Sequence, residues 1–333
     1  MRVAINGFGR IGRSVFRILN RRDDIKVVAI NDITPNDALV YVLKYDTVMG
    51  RLKDTVDLKG DTLKTSQHTV KMIAERNPAS LPWQELGVDV VVESTGVFRT
   101  RETIEPHLEA GAKRVILTVP AKDDIDYMVV IGVNDKGMRP EHRIVSNASC
   151  TTNCLAPMAK VLNDAFGVEY GVINTIHAYT NDQRLADVPH TDLRRSRAAA
   201  ENVIPTSTGA ARAVGKVLPE LAGKLDGIAM RVPVPDGSIV DFVVQLRDDV
   251  TVEKINEAVR DASNTEHLSP ILEYSTLPLV STDIIGNSHS SIYDAPFTKL
   301  LEGNLVKTLN WYDNEWGYSN RVVDLIGIFA AWN

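Results

Sequence analysis

Cysteine is nearly absent from this 333-residue sequence: only Cys150 and Cys154 occur. A pair so closely spaced cannot form a disulfide framework. With no second Cys or His pair at ligand spacing, it does not make a zinc site either. The seven histidines contain no HExxH pattern, so no metal is expected. No apolar run approaches the ~18 residues of a membrane span, and no membrane partner is expected. An excess of positive charge is also lacking, the formal net charge being −6. Nucleic acid is therefore not expected as the primary partner, because neutralising phosphates takes concentrated Lys and Arg. Met1-Arg2-Val3-Ala4-Ile5 runs straight into a strand-like segment, leaving no room for a signal peptide, so a cytoplasmic location is the expectation.

What is present is the composition of a globular enzyme, 44% hydrophobic and 24% charged, in a chain long enough for two domains. The first 148 residues alternate short β-branched runs with helical patterns. The runs are Val3 to Asn6, Lys26 to Asn31, Val88 to Glu93, Arg114 to Thr118, Met128 to Val133 and Arg143 to Ser146. Segments apolar at nearly every position, such as Val90-Val91-Val92, suit strands buried on both faces of a parallel sheet, which predicts a doubly wound α/β domain. After about residue 165, longer strands with partial alternation are expected at Tyr170 to His177, Ile228 to Val232, Ile239 to Leu246 and Val306 to Tyr312. An amphipathic helix is predicted at Val252 to Ala262 and another from Gly317 to Trp332. This half reads as an α+β domain with a mostly antiparallel sheet and helices on one side. Between Ala178 and Pro205 little periodicity exists; the segment carries Arg194, Arg195 and Arg197 and is read as a binding or subunit-contact loop.

Gly7-Phe8-Gly9-Arg10-Ile11-Gly12 is a GxGxxG pattern with a strand before it and a helix, Ile11 to Leu19, after it. Asp32 lies 20 residues beyond Gly12, at the spacing of an acid that binds a ribose hydroxyl in a dinucleotide fold. Glycines let the backbone approach a pyrophosphate at the helix amino terminus. A carboxylate at position 32 accepts hydrogen bonds from a 2′-hydroxyl and repels a 2′-phosphate, and no arginine follows it directly. NAD is therefore favoured over NADP.

Cys150 stands between hydroxyl residues at a strand-to-helix junction, with Asn147 or Ser149 as N-cap. A thiol in the first helical turn feels the positive helix end, and depression toward a thiolate is expected there. Cys154 reads as a buried small hydrophobe. His177, ending a strand, is the leading general base for Cys150.

Ile5-Asn6-Gly7-Phe8-Gly9-Arg10-Ile11-Gly12, Ala148-Ser149-Cys150-Thr151-Thr152-Asn153-Cys154, Arg194-Arg195-Ser196-Arg197-Ala198-Ala199 and Trp311-Tyr312-Asp313-Asn314-Glu315-Trp316-Gly317-Tyr318 together resemble the phosphorylating glyceraldehyde-3-phosphate dehydrogenases over nearly the whole chain. The resemblance implies an NAD-binding Rossmann domain at 1–149, completed by a C-terminal helix at 314–333. It implies a catalytic domain at 150–313 whose long loop, 178–205, lies at the core of a homotetramer near the cofactor. Cys150 would attack glyceraldehyde 3-phosphate, with His177 taking the proton as hydride passes to NAD. Inorganic phosphate would cleave the resulting thioester. Asn314 would hold the nicotinamide amide, while Arg10, Ile11, Arg76 and Thr118 would line the dinucleotide site. The residues matching the two anion sites are Ser149, Thr151, Thr180, Arg195, Thr208, Gly209 and Arg231. Thr206-Ser207-Thr208-Gly209 precedes a helix-like run, itself an anion-ready helix start, and arginines suit phosphate oxygens.

Two departures from the family pattern are Met49, where histidine is frequent, and Thr118-Val119-Pro120 in place of serine-alanine-proline. The nearest rival reading is an erythrose-4-phosphate dehydrogenase, against which Thr208-Gly209 argues. A dinucleotide-binding regulatory or adhesion protein is the rival of another class, and intact Cys150 and His177 speak against it.

Overall fold

A computed structural model describes residues 1–332. The chain divides into two compact units: among the described residues 1–129, 137–148 and 319–332 form one, 130–136 and 149–318 the other. Asn333, the last residue of the expected C-terminal helix, lies outside the described residues.

The first unit is built on a nine-stranded sheet. Its strands are β1 (Arg2–Asn6), β2 (Lys26–Asn31), β3 (Asp57–Lys59), β4 (Thr62–Lys64), β5 (Thr69–Ile73), β6 (Val90–Glu93), β7 (Arg114–Leu117), β8 (Tyr127–Met128) and β9 (Ile144–Ser146). The spatial order is β3-β4-β5-β2-β1-β6-β7-β9-β8. Pairing is parallel from β5 to β8 and antiparallel only along β3, β4 and β5. The uninterrupted apolar runs fall where double-sided burial requires them: Val3, Ala4, Ile5, Val90, Val91 and Val92 are all fully buried. The helices α1 (Arg10–Leu19), α2 (Asn36–Lys44) and α3 (Arg101–Glu109) alternate with the strands. Successive strands are added to one side of β1 (β2, then β5) and later to the other (β6, then β7), so the glycine turn after β1 sits at the switch point of the sheet.

Two local expectations change. The run Met128 to Val133 is a strand only over Tyr127–Met128. Beyond it Asn134 Oδ1 accepts from Val130 N–H and Asp135 Oδ1 from Gly132 N–H, and Gly132 takes φ +86°. Side-chain carboxyl and amide groups thus capture the backbone into a turn that periodicity alone does not reveal. The strands β3, β4 and β5 were not expected; β3 and β4 are three residues long, and each places one leucine between polar neighbours, too short for alternation to be seen.

The second unit carries an eight-stranded sheet and the helices α4 (Cys150–Phe166), α5 (Ala210–Val217), α6 (Val252–Ser263) and the single turn α7 (Ser281–Ile284), and the last helix of the described residues is α8 (Trp316–Ala330). Its strands are β10 (Val168–Ala178), β11 (Ile204–Ser207), β12 (Leu225–Val232), β13 (Ser238–Leu246), β14 (Leu272–Ser275), β15 (Ser291–Asp294), β16 (Lys299–Leu301) and β17 (Leu305–Tyr312). The sheet is mixed. Pairs β10–β12 and β14–β15 are parallel and the other five antiparallel. Helix α6 starts where expected because the Thr251 side chain accepts from Lys254 N–H as its N-cap. In α4 and α6 the buried residues Leu155, Met158, Leu162, Ile255 and Val259 supply the core on one face of the sheet. The loop 178–205 folds on itself through a bridge between Arg184 and Ala198, a short 3₁₀ turn at Arg194–Ser196 and an Arg197–Asp187 ion pair.

Candidate active site

Helix α4 begins at Cys150 because Ser149 is its N-cap: the Ser149 hydroxyl accepts from Thr152 N–H at 3.1 Å. The alternative cap, Asn147, is excluded. Cys150 is half-buried, and its Sγ lies 3.5 Å from His177 Nε2. His177 is the penultimate residue of β10, whose parallel pairing with β12 sets it directly beside Arg231. Its Nδ1 is 2.7 Å from the Ala178 carbonyl oxygen, and Arg231 Nη1 approaches the same nitrogen at 3.1 Å. An arginine can only donate, and Nη1 already reaches Ala178 O at 3.1 Å and Thr180 Oγ1 at 3.0 Å. The consistent assignment puts the proton on Nδ1, donated to Ala178 O. Nε2 is then left as an acceptor facing the thiol.

The electrostatics correct one expectation. Burial pushes the Cys150 thiol up to about 11, opposed by the Arg231 charge and by hydrogen bonds from Thr151. Burial, reinforced by Arg231, pushes His177 down to about 3. A lone thiolate is therefore not the resting state, and the helix end does not by itself outweigh desolvation. What the geometry provides is transfer within the pair, where thiolate and imidazolium form in contact and neutralise each other. Cys154 is fully buried, as expected, with its Sγ 3.5 Å from Asn310 O.

Tyr312 is a site residue that the sequence reading missed. Its buried hydroxyl meets Thr151 Oγ1 and Thr175 Oγ1, each at 2.9 Å, and its ring stands edge-on to His177 with centroids 6.0 Å apart. Ser238 joins His177's strand end to Asn314: Ala178 N–H donates to Ser238 Oγ at 3.0 Å, and that hydroxyl donates to Asn314 Oδ1 at 2.6 Å. The only sequence signal for Tyr312 was its place in the Trp311–Tyr318 motif.

Thr180, Arg195 and Arg231 are brought together around Asp182, also missed. Arg195 pairs with Asp182 and reaches Thr206 Oγ1 at 3.1 Å and Asp192 at 3.6 Å. The Thr180 hydroxyl bonds Asp182. Burial pushes the Asp182 carboxyl up, but Thr180, Arg231 and Arg195 outweigh it and hold it below its ordinary range. Arg195 pairs with this carboxylate, and Arg231, bonded to the Thr180 hydroxyl that donates to it, adds its charge nearby; a more highly charged anion can compete there for both guanidinium groups. Gly209 caps α5, and a Cβ placed on it would meet nothing within 4 Å. Thr208 Oγ1 accepts from Ala210 N–H at 3.2 Å.

In the first unit a cavity of about 390 Å³ is lined by Gly7, Gly9, Asp32, Ile33 and Arg76, with Asn6, Asn31, Ser94 and Thr95 among the residues of its wall. Gly7 has φ +89°, and a Cβ there would stand 2.6 Å from Thr95 N; at Gly12 it would stand 2.2 Å from Gly7 O. Both positions exclude side chains, so the backbone itself forms the cradle. Asp32 accepts from Phe8 N–H at 2.8 Å and Thr34 N–H at 2.9 Å, which aims its carboxylate at the mouth of the turn. Arg10 pairs with Asp46 in the first turn of α1, where Ile11 is half-buried beside it. Thr118 is buried, its hydroxyl donating to Glu93 O at 3.1 Å. Neither Arg10, Ile11 nor Thr118 lines this cavity. Among the described residues no cluster could hold a metal ion, and no helix is long and apolar enough to cross a membrane.

Residues 1–101 match the family described as "Glyceraldehyde 3-phosphate dehydrogenase, NAD binding domain", and residues 149–314 match its "C-terminal domain". Glyceraldehyde-3-phosphate dehydrogenase of Borreliella burgdorferi is 57% identical over 98% of this chain and 98% of its own length. Its counterpart in Priestia megaterium is 55% identical over 99% and 98%. That of Streptomyces coelicolor is 54% identical over 98% and 97%.

Proposed function

The chain belongs to the glyceraldehyde 3-phosphate dehydrogenase family, and we propose that it oxidises D-glyceraldehyde 3-phosphate to 1,3-bisphosphoglycerate with NAD and inorganic phosphate. The observation that carries this reading is the 3.5 Å approach of Cys150 Sγ to an acceptor nitrogen of His177. As Sγ bonds the aldehyde carbon, the thiol proton passes to Nε2, and the resulting imidazolium is held by its Nδ1–H bond to Ala178 O. The carbonyl oxygen becomes the hydroxyl of a hemithioacetal, whose proton is then taken by Nε2 as the carbon is oxidised to a thioester. NAD, when bound, supplies the hydride acceptor. The glycine cradle and Asp32 fit its pyrophosphate and adenosine ribose, with Arg10, Ile11, Arg76 and Thr118 supporting the same group, and Asn314 fits its carboxamide. Phosphate then attacks the thioester carbon, the C–S bond breaks, and the thiolate recovers a proton from His177.

Two anion sites serve this chemistry, one for the substrate phosphate and one for the attacking phosphate. Ser149, Thr151, Thr180, Arg195, Thr208, Gly209 and Arg231 divide between them. Arg195 and Arg231 supply charge, and Thr208-Gly209 supplies donors at a helix start. A homotetramer in the cytoplasm is the assembly that fits. On the sheet of the second unit Tyr170 and Val172 are largely exposed, and in the long loop Leu185 and Leu193 are 88% and 81% exposed, an apolar surface that a second copy would cover.

The deciding measurement is NADH formation from glyceraldehyde 3-phosphate with and without phosphate. Rapid turnover that requires phosphate supports the reading. Equal rates without phosphate would point to hydrolysis of the thioester, and no NADH at all would remove the dehydrogenase assignment.

A further inference from the structure

Behind the dinucleotide cavity of the first unit runs a buried polar chain that the reaction itself does not use. Glu93, at the end of β6, is 1% exposed, and four donors hold its carboxylate. Asn6 Nδ2 donates to Oε2 at 2.5 Å, His107 Nε2 lies 3.1 Å from the same oxygen, and Thr95 donates to Oε1 through both its N–H and its hydroxyl. His107, on α3, is fully buried and stacked on Trp83. The Trp83 indole N–H donates to His107 Nδ1 at 3.0 Å. An indole can only donate, so Nδ1 accepts and the imidazole proton sits on Nε2, pointed at Glu93. On the other side Asn31 Nδ2 donates to Asn6 Oδ1 at 2.7 Å, and Asn31 also exchanges two bonds with the Glu75 backbone.

Every far end of this chain is a wall of the cavity: Asn6, Asn31, Glu75 and Thr95 all line it. The contact has no slack. Ser94 Oγ donates to Gly7 O at 2.6 Å, and Gly7 and Thr95 approach so closely that no Cβ fits between them. A movement of Thr95 or Asn6 must therefore reach the glycine turn.

We propose that His107 and Trp83 are positioning residues for the dinucleotide. By fixing the imidazole tautomer, Trp83 aims a donor at Glu93, and the Glu93 carboxylate in turn fixes Asn6 and Thr95 at the width the glycine cradle needs. The proposal rests on the reading of that cavity as the NAD site. The ligand gains affinity because the walls are ordered before it arrives, so loss of the anchor weakens binding rather than chemistry.

The test is NAD affinity by calorimetry together with steady-state kinetics. His107→Phe keeps the ring and removes both nitrogens. It should raise Kd and KM for NAD about tenfold, as expected for one lost bond to a charged acceptor, with kcat at saturating NAD held within about twofold. His107→Gln, whose amide can again donate to Glu93, should recover most of the affinity. Trp83→Phe deletes only the indole N–H; it should raise Kd about two- to threefold and stands in should His107→Phe fail to fold. Unchanged NAD affinity in a folded variant of either residue overturns the proposal, as does a kcat that falls in step with affinity. A parent protein that bound no NAD would instead refute the cofactor reading, an outcome seen before any variant is made.

Discussion

His177 Nδ1 lies 2.7 Å from the carbonyl oxygen of its own neighbour, Ala178, and that bond decides which nitrogen serves the chemistry. With Nδ1 committed as donor, Nε2 is the only basic atom facing Cys150. The same carbonyl also accepts from Arg231, so the imidazole cannot turn without breaking a shared acceptor. The base is oriented before substrate arrives.

Replacing His177 by Asn should slow the chemical step by about 10²–10⁴-fold, the range for a positioned general base. It should also change the pH dependence of thiol alkylation. Without an acceptor, ionisation of Cys150 faces the desolvation that pushes the thiol up to about 11, so alkylation should require strongly alkaline pH. In the parent, transfer to Nε2 opens a route at lower pH. Coincident alkylation profiles for variant and parent would sink the paired-transfer account.

Asp236 and Asp313 give a pH dependence of a different kind. Both are buried, and the negative charge of Asp313 acts on Asp236, so one of the two carries a proton. Asp313 already accepts N–H bonds from Gly286, Glu315 and Trp316, so the proton resides on Asp236. Burial, then the negative charges of Asp313 and Glu315, push Asp236 up to about 9. In the unfolded chain it titrates near its ordinary value, about 4. Between these values the folded state holds one more proton, so this contribution is complete below about 4 and is lost as pH rises toward 9. Asp236→Asn keeps a neutral side chain there without a titratable proton. Its unfolding temperature should exceed the parent's by a few degrees at pH 8.5, and by less at pH 6. A constant difference across that interval would contradict a proton held on Asp236.

Asp32→Gly removes both the acceptor for a ribose hydroxyl and the charge that repels a 2′-phosphate. NAD should bind less tightly and the preference over NADP should narrow, without a full switch, because Ile33, Thr34 and Pro35 follow and bring no arginine. Kinetics with both dinucleotides check this. An unchanged ratio would place specificity elsewhere.

How much of this was legible depends on whether a role is local or arises from pairing. The glycine turn, Asp32 and the start of α4 at Cys150 are local: each is encoded within a few residues by φ, spacing or capping, and each was read from the chain. Arg231 beside His177 and Tyr312 between Thr151 and Thr175 arise from strand register, which the periodicity of one strand does not contain. Asp182 escaped for the same reason, since only the folded loop brings Arg195 to it. The strands β3 and β4 were hidden by brevity, and the direction of the Cys150 shift by burial, a quantity no sequence motif measures.

The acceptor phosphate must reach the thioester as an anion, so donors and positive charge have to be in place beforehand. Thr208 and Gly209 stand at the start of α5, where free N–H groups point outward, and Arg195 supplies charge. Thr208→Ala should raise KM for phosphate or slow phosphorolysis several-fold. It should hardly alter the first-turnover burst of NADH, because acylation is complete before phosphate attacks. The Thr208 hydroxyl also accepts from Ala210 N–H, so some loss of helix stability, about 1 kcal/mol for a lost cap-like bond, belongs to the variant; an unfolding curve separates that from the kinetic effect. If burst and steady-state rate fell together in a folded variant, Thr208 would belong to aldehyde binding, and the division of the two anion sites would have to be redrawn.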